Sequence, residues 1–223
     1  ENIKRLREIT GVGFKDCKLA LDENSGDIEK SIEFLRKKGI AKATKKMSRT
    51  ASEGLVLVHE EANELAIIEV NSETDFVAKN KEFIDFCKQL AEINFKVKGD
   101  LNKLNDFKMK NKIEVKENLI SLISKIGEKI TIRRTYFVNK NNGKNFFYVH
   151  SALEKNIGKI IASVKLKDVK DSSQEDFGRK LAMHIAATSP IAIDKDDIKQ
   201  EILDKELEII KEELKNSGKK GEM

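Results

Sequence analysis

The apolar residues of this chain change their spacing at Gly54, and that change restricts the fold more than any other feature. Before it they recur at intervals of three and four: Ile3, Leu6 and Ile9, then Cys17, Ala20 and Leu21, then Ile28, Ile32 and Leu35. These are the stripes of short amphipathic helices. After it, GLVLVHE and ELAIIEV flank a short polar turn and predict a β-hairpin, in which Ile67 and Ile68 mark a strand buried on both faces. Helical and strand segments therefore both occur, with helix in the majority.

The turns TGVGF and ENSGD divide the first forty residues into three helices, with Asp27 as N-cap of the third and Gly39 as its stop. Residues 1–40 therefore read as a three-helix domain. The Gly13-Phe14 pair in its first loop resembles the ubiquitin-associated type. Residues 41–52, AKATKKMSRTAS, carry four basic residues without a sustained apolar period and read as a solvated linker. Residues 53–140 form a first core subdomain. It holds the hairpin, a helix striped by Phe83, Cys87, Leu90 and Ala91, a weakly helical connection, a helix from Val115 to Ile126 stopped by Gly127, and the strand KITIRRTYFV. Residues 141–193 form a second, incomplete subdomain with strands FFYVHSA and IGKIIASVKL. A helix follows, opened by a capping box of Ser172 and Glu175, striped by Phe177, Leu181, Ile185 and Thr188, and ended by Pro190. Residues 194–223 carry Leu203, Leu207, Ile210 and Leu214 as a narrow stripe, which predicts a long helix that needs a partner helix. The chain starts without methionine and stops before such a partner, so the natural protein is expected to be longer.

The composition narrows the function. Charged residues make up 36% and aromatics 6%, a balance that suits solvated helices better than a large sandwich core. The net charge of +5 is spread with both signs interleaved, so it points only weakly to nucleic acid, for which KATKKMSR and TIRRT are the best segments. His59, His150 and His184 lie far apart with no ligand spacing, Cys17 and Cys87 form no C-x-x-C pair, and no phosphate-binding G-x-x-x-x-G-K-[ST] occurs. No enzyme, metal or cofactor is expected. No apolar run reaches the roughly 18 residues that span a bilayer, and the two isolated cysteines suit a reducing compartment, so a cytoplasmic protein is expected.

One stretch admits both a structural and a functional explanation. NSETDFVAK, residues 71–79, places Phe76 amid polar neighbours between a strand and a helix. Buried, the ring would contribute roughly 1.5–3 kcal/mol to folding; exposed, it leaves that driving force to a partner. Phe76 and Phe83 are seven apart and would share one face if a single helix began near Asp75. Against this, Phe86, Leu90 and Ala91 repeat as Phe177, Leu181 and Ala182 after the second pair of strands, and the extra residues of the first copy fall in NSETDFVAK.

Taken together, LREITGVGFKDCKLALDENSGDIEKSIEFLRKKG, EVNSETDFVAKN and LAMHIAA resemble the bacterial elongation factor Ts family, over nearly the whole chain and in the family's order. The resemblance implies an α+β fold, with a ubiquitin-associated-like N-terminal domain and a core of two related hairpin-plus-helix subdomains, and a guanine nucleotide exchange factor whose partner is elongation factor Tu. It implies that Thr74, Asp75, Phe76 and Val77 enter the partner's GTPase domain beside its magnesium and phosphate site, with Phe76 as wedge and Asp75 as its orienting partner. Lys4, Arg7 and Phe14 match contact positions of the N-terminal domain, although Phe14-Lys15 departs from the Met-Met pair of some relatives. His150 matches a contact of the second subdomain, whereas His184 is expected beside the core as a structural residue. The same resemblance makes residues 194–223 the first arm of a helical hairpin, a coiled-coil element that dimerises some members. It implies no cofactor and no direct binding to nucleic acid or membrane.

Overall fold

A computed structural model of the chain describes residues 1–216. The final residues of the segment expected as a hairpin arm, 217–223, lie outside the described residues. Helix and sheet are mixed in the order α1 (Asn2–Thr10), α2 (Phe14–Glu23), α3 (Ile28–Lys46), β1 (Glu53–Glu61), β2 (Glu64–Ser72), α4 (Asp75–Ala78), α5 (Lys81–Lys96), α6 (Leu101–Asp106), α7 (Val115–Ile126), β3 (Ile130–Val138), β4 (Lys144–His150), β5 (Ile157–Gly158), β6 (Ile160–Leu166), α8 (Ser172–Thr188) and α9 (Gln200–Asn216). All strand pairs are antiparallel, consistent with an α+β chain. Two compact units result, Glu1–Ala186 and the segment from Ala187 onward.

The first three helices close around Leu6, Cys17, Ala20, Leu21 and Leu35. Gly11 ends α1 in the left-handed region (φ 65°), which glycine adopts without a Cβ penalty, and its N–H donates to the Arg7 carbonyl. Asp27 caps α3 as expected, accepting from the Lys30 N–H at 3.0 Å. Asp16 on α2 receives both Lys38 and Lys42 of α3, each at 2.9 Å.

Gly39 does not stop α3. The helix runs on to Lys46, and Ala43, placed by the sequence in a solvated linker, is buried in the main core. The reason is tertiary. Gly39 is buried facing α7, where a Cβ would lie 3.6 Å from the Ser124 side chain, so packing against α7 overrides its weak helix propensity. The Lys46 ammonium then donates to the carbonyl of Gly127, the C-cap of α7, and Arg36 pairs with Glu117.

The main sheet has the order β3-β2-β1-β5. Ala62 and Asn63, both at positive φ, form the two-residue turn between β1 and β2. One face of this hairpin carries Leu55, Leu57, Ile68 and Val70, and α5 covers it with Phe83, Phe86, Cys87 and Leu90 in one continuous core. Burial raises the Cys87 thiol pKa far above its ordinary range, so that cysteine is an inert core residue. The other face stays partly open: Ile67, expected to be fully buried like Ile68, lines a groove of about 420 Å³ with Val56, Tyr136 and Ile160. The weakly helical stretch resolves into α6, capped by Asp100 and anchored by the buried Leu104.

β4 and β6 pair as a second, two-stranded sheet, against which α8 packs by its smallest residues. A Cβ on Gly178 would come within 2.4 Å of the Phe146 ring. The buried stripe of α8 is Gly178, Ala182 and Ala186, one position from the predicted one, and Phe177 is exposed. Phe177 therefore does not play the part of the buried Phe86 in the sequence repeat. His184 also lies on α8, one position beyond Met183, and is exposed. The N-cap of α8 is Asp171, one residue earlier than the expected Ser172, and the returning bond reaches the residue before it instead of closing a capping box. Asp171 accepts from the Gln174 N–H at 2.9 Å, while the Gln174 side chain accepts from the Lys170 N–H at 2.6 Å. In the second unit, α9 has no buried residue, and Ile202, Leu207 and Ile210 are exposed along it.

Candidate partner-binding site

The segment of interest begins where the β2–β3 ladder ends. Ser72 pairs with Ile130 as the last residues in register. Beyond them the two chains stay joined through side chains. The Glu73 carboxylate accepts the Lys129 N–H at 2.5 Å, and the Glu128 carboxylate accepts both the Thr74 N–H (3.0 Å) and the Thr74 hydroxyl (2.8 Å). Buried Ser72 donates its hydroxyl to the Thr74 carbonyl at 2.9 Å. Lys129 holds Glu73 below the usual carboxylate range, with Arg49 adding a positive charge beside it.

From this clamp the chain makes a single helical turn, α4. Its two ends face opposite ways. Val77 and Ala78 are 6% and 2% exposed and belong to the main core, while Phe76 is 79% exposed. The turn closes when the Lys79 and Asn80 amides donate to the Phe76 and Val77 carbonyls, and the Asn80 side chain caps α5 through the Glu82 and Phe83 N–H groups. That cap separates α4 from α5. A continuous helix that would have placed Phe76 beside Phe83 on the buried face does not form, and the ring stands in solvent. Asp75, in the first turn, is paired with Lys79 at 2.8 Å; the ammonium holds the carboxyl below its usual range, and the carboxylate in turn raises the lysine's pKa. The Thr74 hydroxyl is engaged by Glu128 and does not cap α4.

The other predicted residues are accessible but separate from this turn in the chain. Lys4 and Arg7 lie one helical turn apart on the exposed side of α1. Phe14 opens α2 with its ring 54% exposed, and Ile9 is equally exposed at the end of α1. His150 is the exposed last residue of β4, opposite Ile160, with its ring 6.2 Å from that of Tyr148. Sequence reasoning missed Ser72 and Glu128, which hold Thr74; Glu128 is 54 residues away, and no local pattern signals such a contact.

The arrangement suits contact rather than chemistry. A solvated aromatic ring projects from a turn that is anchored on both sides. A second groove, of about 400 Å³ between α3 and α7, is lined by Ile32, Gly39 and Ile120 and does not include Phe76. Among the described residues no cluster of His, Cys, Asp and Glu could hold a metal ion, and no helix is long and apolar enough to cross a membrane.

Comparison with known proteins places the chain in a family. The family described as Elongation factor TS matches residues 73–223. Elongation factor Ts of Methylobacterium nodulans is 43% identical over 219 residues, covering 97% of this chain and 71% of the relative. The protein of the same name from Gluconobacter oxydans is 41% identical over 218 residues, covering 97% of this chain and 72% of the relative. That of Rhodopseudomonas palustris is 38% identical, with 97% and 71% covered. On both the family match and these relatives, the chain belongs to the elongation factor Ts family.

Proposed function

We propose that this chain is a guanine nucleotide exchange factor of translation elongation, which promotes GDP release from elongation factor Tu by inserting Thr74–Val77 beside that protein's magnesium and phosphate site. The observation that carries the reading is the exposure of Phe76 on a turn whose next two residues are buried. Such a ring can enter a partner with little reorganisation of its own backbone. Bound GDP is held largely through phosphate and metal contacts, so a wedge that displaces them weakens the nucleotide without covalent chemistry. The factor acts as a binding protein, not an enzyme. By linkage, tight binding to the empty GTPase and tight binding of GDP oppose each other.

Lys4, Arg7 and Phe14 are assigned to a second contact, from the ubiquitin-associated-like N-terminal helices to the same GTPase domain, and His150 to a third from the second subdomain. Both subdomains are taken as related hairpin-plus-helix units, and α9 as the first arm of a helical hairpin through which the protein dimerises. In this reading the factor works in the cytoplasm. Stopped-flow release of fluorescent GDP from elongation factor Tu tests the proposal. Release should accelerate and saturate with added factor; a folded factor that leaves the rate unchanged at every concentration contradicts it.

A further inference from the structure

We infer that Glu128 is a positioning residue for Phe76, holding the ring in its presenting orientation through Thr74. The inference rests on the exchange reading above. Its basis is the way the β2–β3 ladder continues past its last backbone pair. Asn71 and Ser72 face Thr131 and Ile130, so the next positions in register are Glu73 opposite Lys129 and Thr74 opposite Glu128. At both positions a carboxylate replaces the missing backbone acceptor: Glu73 receives the Lys129 N–H and Glu128 receives the Thr74 N–H. Glu128 uses its second oxygen on the Thr74 hydroxyl, and Ser72 holds the Thr74 carbonyl. All three polar groups of Thr74 are thereby fixed, two by one carboxylate, two residues before the exposed ring.

Charge-assisted bonds of this kind are shorter and stronger than neutral ones. α4 is a single turn, and an isolated turn has little stability of its own, so its orientation depends on what fixes its two ends. Val77 and Ala78 fix the end that follows Phe76, and Glu128 fixes the end that precedes it. The segment that carries Glu128 is itself braced by the next residue, since the Lys129 ammonium donates to the carbonyls of Met47 (2.7 Å) and Arg49 (2.8 Å).

The chain has no tryptophan, so Phe76→Trp installs a single fluorescent reporter at the ring's own position. Time-resolved anisotropy of that indole reads nanosecond mobility in the free protein, without any partner. Adding Glu128→Ala should enlarge the fast depolarisation of the indole, and Thr74→Val, which removes only the hydroxyl bond, should do so less. With the native phenylalanine, Glu128→Ala should slow saturating GDP release from elongation factor Tu about tenfold, the ratio expected for a lost charge-assisted hydrogen bond. In a Phe76→Ala background the same change should add nothing, because both act through one ring. An unchanged indole anisotropy overturns the inference whatever the exchange rate does. A loosened indole with an unchanged release rate overturns it too, as does a full additional loss in the Phe76→Ala background. Failure of the exchange reading shows separately, as a wild-type factor that does not accelerate GDP release from elongation factor Tu or a Phe76→Ala factor that accelerates it as fully as the wild type.

Discussion

Phe76 and its neighbours show how one residue's surroundings decide its role. The ring adds nothing to the core, because Val77 and Ala78 supply the buried contacts of α4. Phe76→Ala should therefore change folding stability by less than about 0.5 kcal/mol in chemical denaturation, the range of surface substitutions. A loss of several kcal/mol would show that the ring is buried. Asp16 illustrates the opposite case, a charged residue that fastens two helices. Lys42 and Lys38 hold its carboxyl below the ordinary value of 3.8. A carboxylate with a depressed folded-state pKa stabilises above its unfolded pKa, and the contribution is lost as pH falls through the folded one. Asp16→Asn should accordingly cost about 0.5–1.5 kcal/mol near neutral pH, and in thermal melts the gap to wild type should begin to close near the unfolded value of 3.8 and vanish only below the lowered folded-state one. A gap that widened on acidification would reverse that sign.

Among the elements, ends were legible in the sequence where the signal is local. Asp27 caps α3 and Gly127 closes α7 in the left-handed conformation (φ 88°), and both were read from a single residue type beside a stripe. Ends set by tertiary contact were not legible. Gly39 looked like a stop but lies inside α3 because α7 packs against it, and the α8 stripe shifted by one because Phe146 accepts only a glycine beneath its ring. The two glycines predict opposite outcomes. At Gly39 an added Cβ meets ordinary van der Waals distances, so Gly39→Ala should stabilise the protein by up to about 1 kcal/mol through helix propensity. At Gly178 a methyl group overlaps Phe146, so Gly178→Ala should destabilise by about 1–2 kcal/mol after the gain in propensity is subtracted. Urea melts of both variants check the pair, and equal signs would show that the contacts at one site are misjudged.

At the scale of the whole molecule, the mixed class was readable from the change in apolar period at Gly54, since β1 and β2 begin where the helical stripes end. The candidate site was legible only in part. Phe76 stood out as an aromatic among polar residues, but its exposure depends on Asn80 starting a new helix and on Glu128 holding Thr74 from across the sheet. The exposed stripe of α9 gives a prediction about assembly. If that helix is one arm of a dimerising hairpin, replacing Leu207 and Ile210 together by Asp should shift the protein from dimer to monomer in sedimentation velocity, leaving the melt of the first unit unchanged. Wild type that sediments as a monomer would remove the basis for a dimer. The central claim, that Phe76 is kept out of the core to act on a GTPase, is tested most directly by the saturating rate of GDP release from elongation factor Tu with Phe76→Ala in place of the wild type. A rate reduced by at least about tenfold, from a variant as stable as the wild type, is the predicted result. A wild-type rate would contradict it.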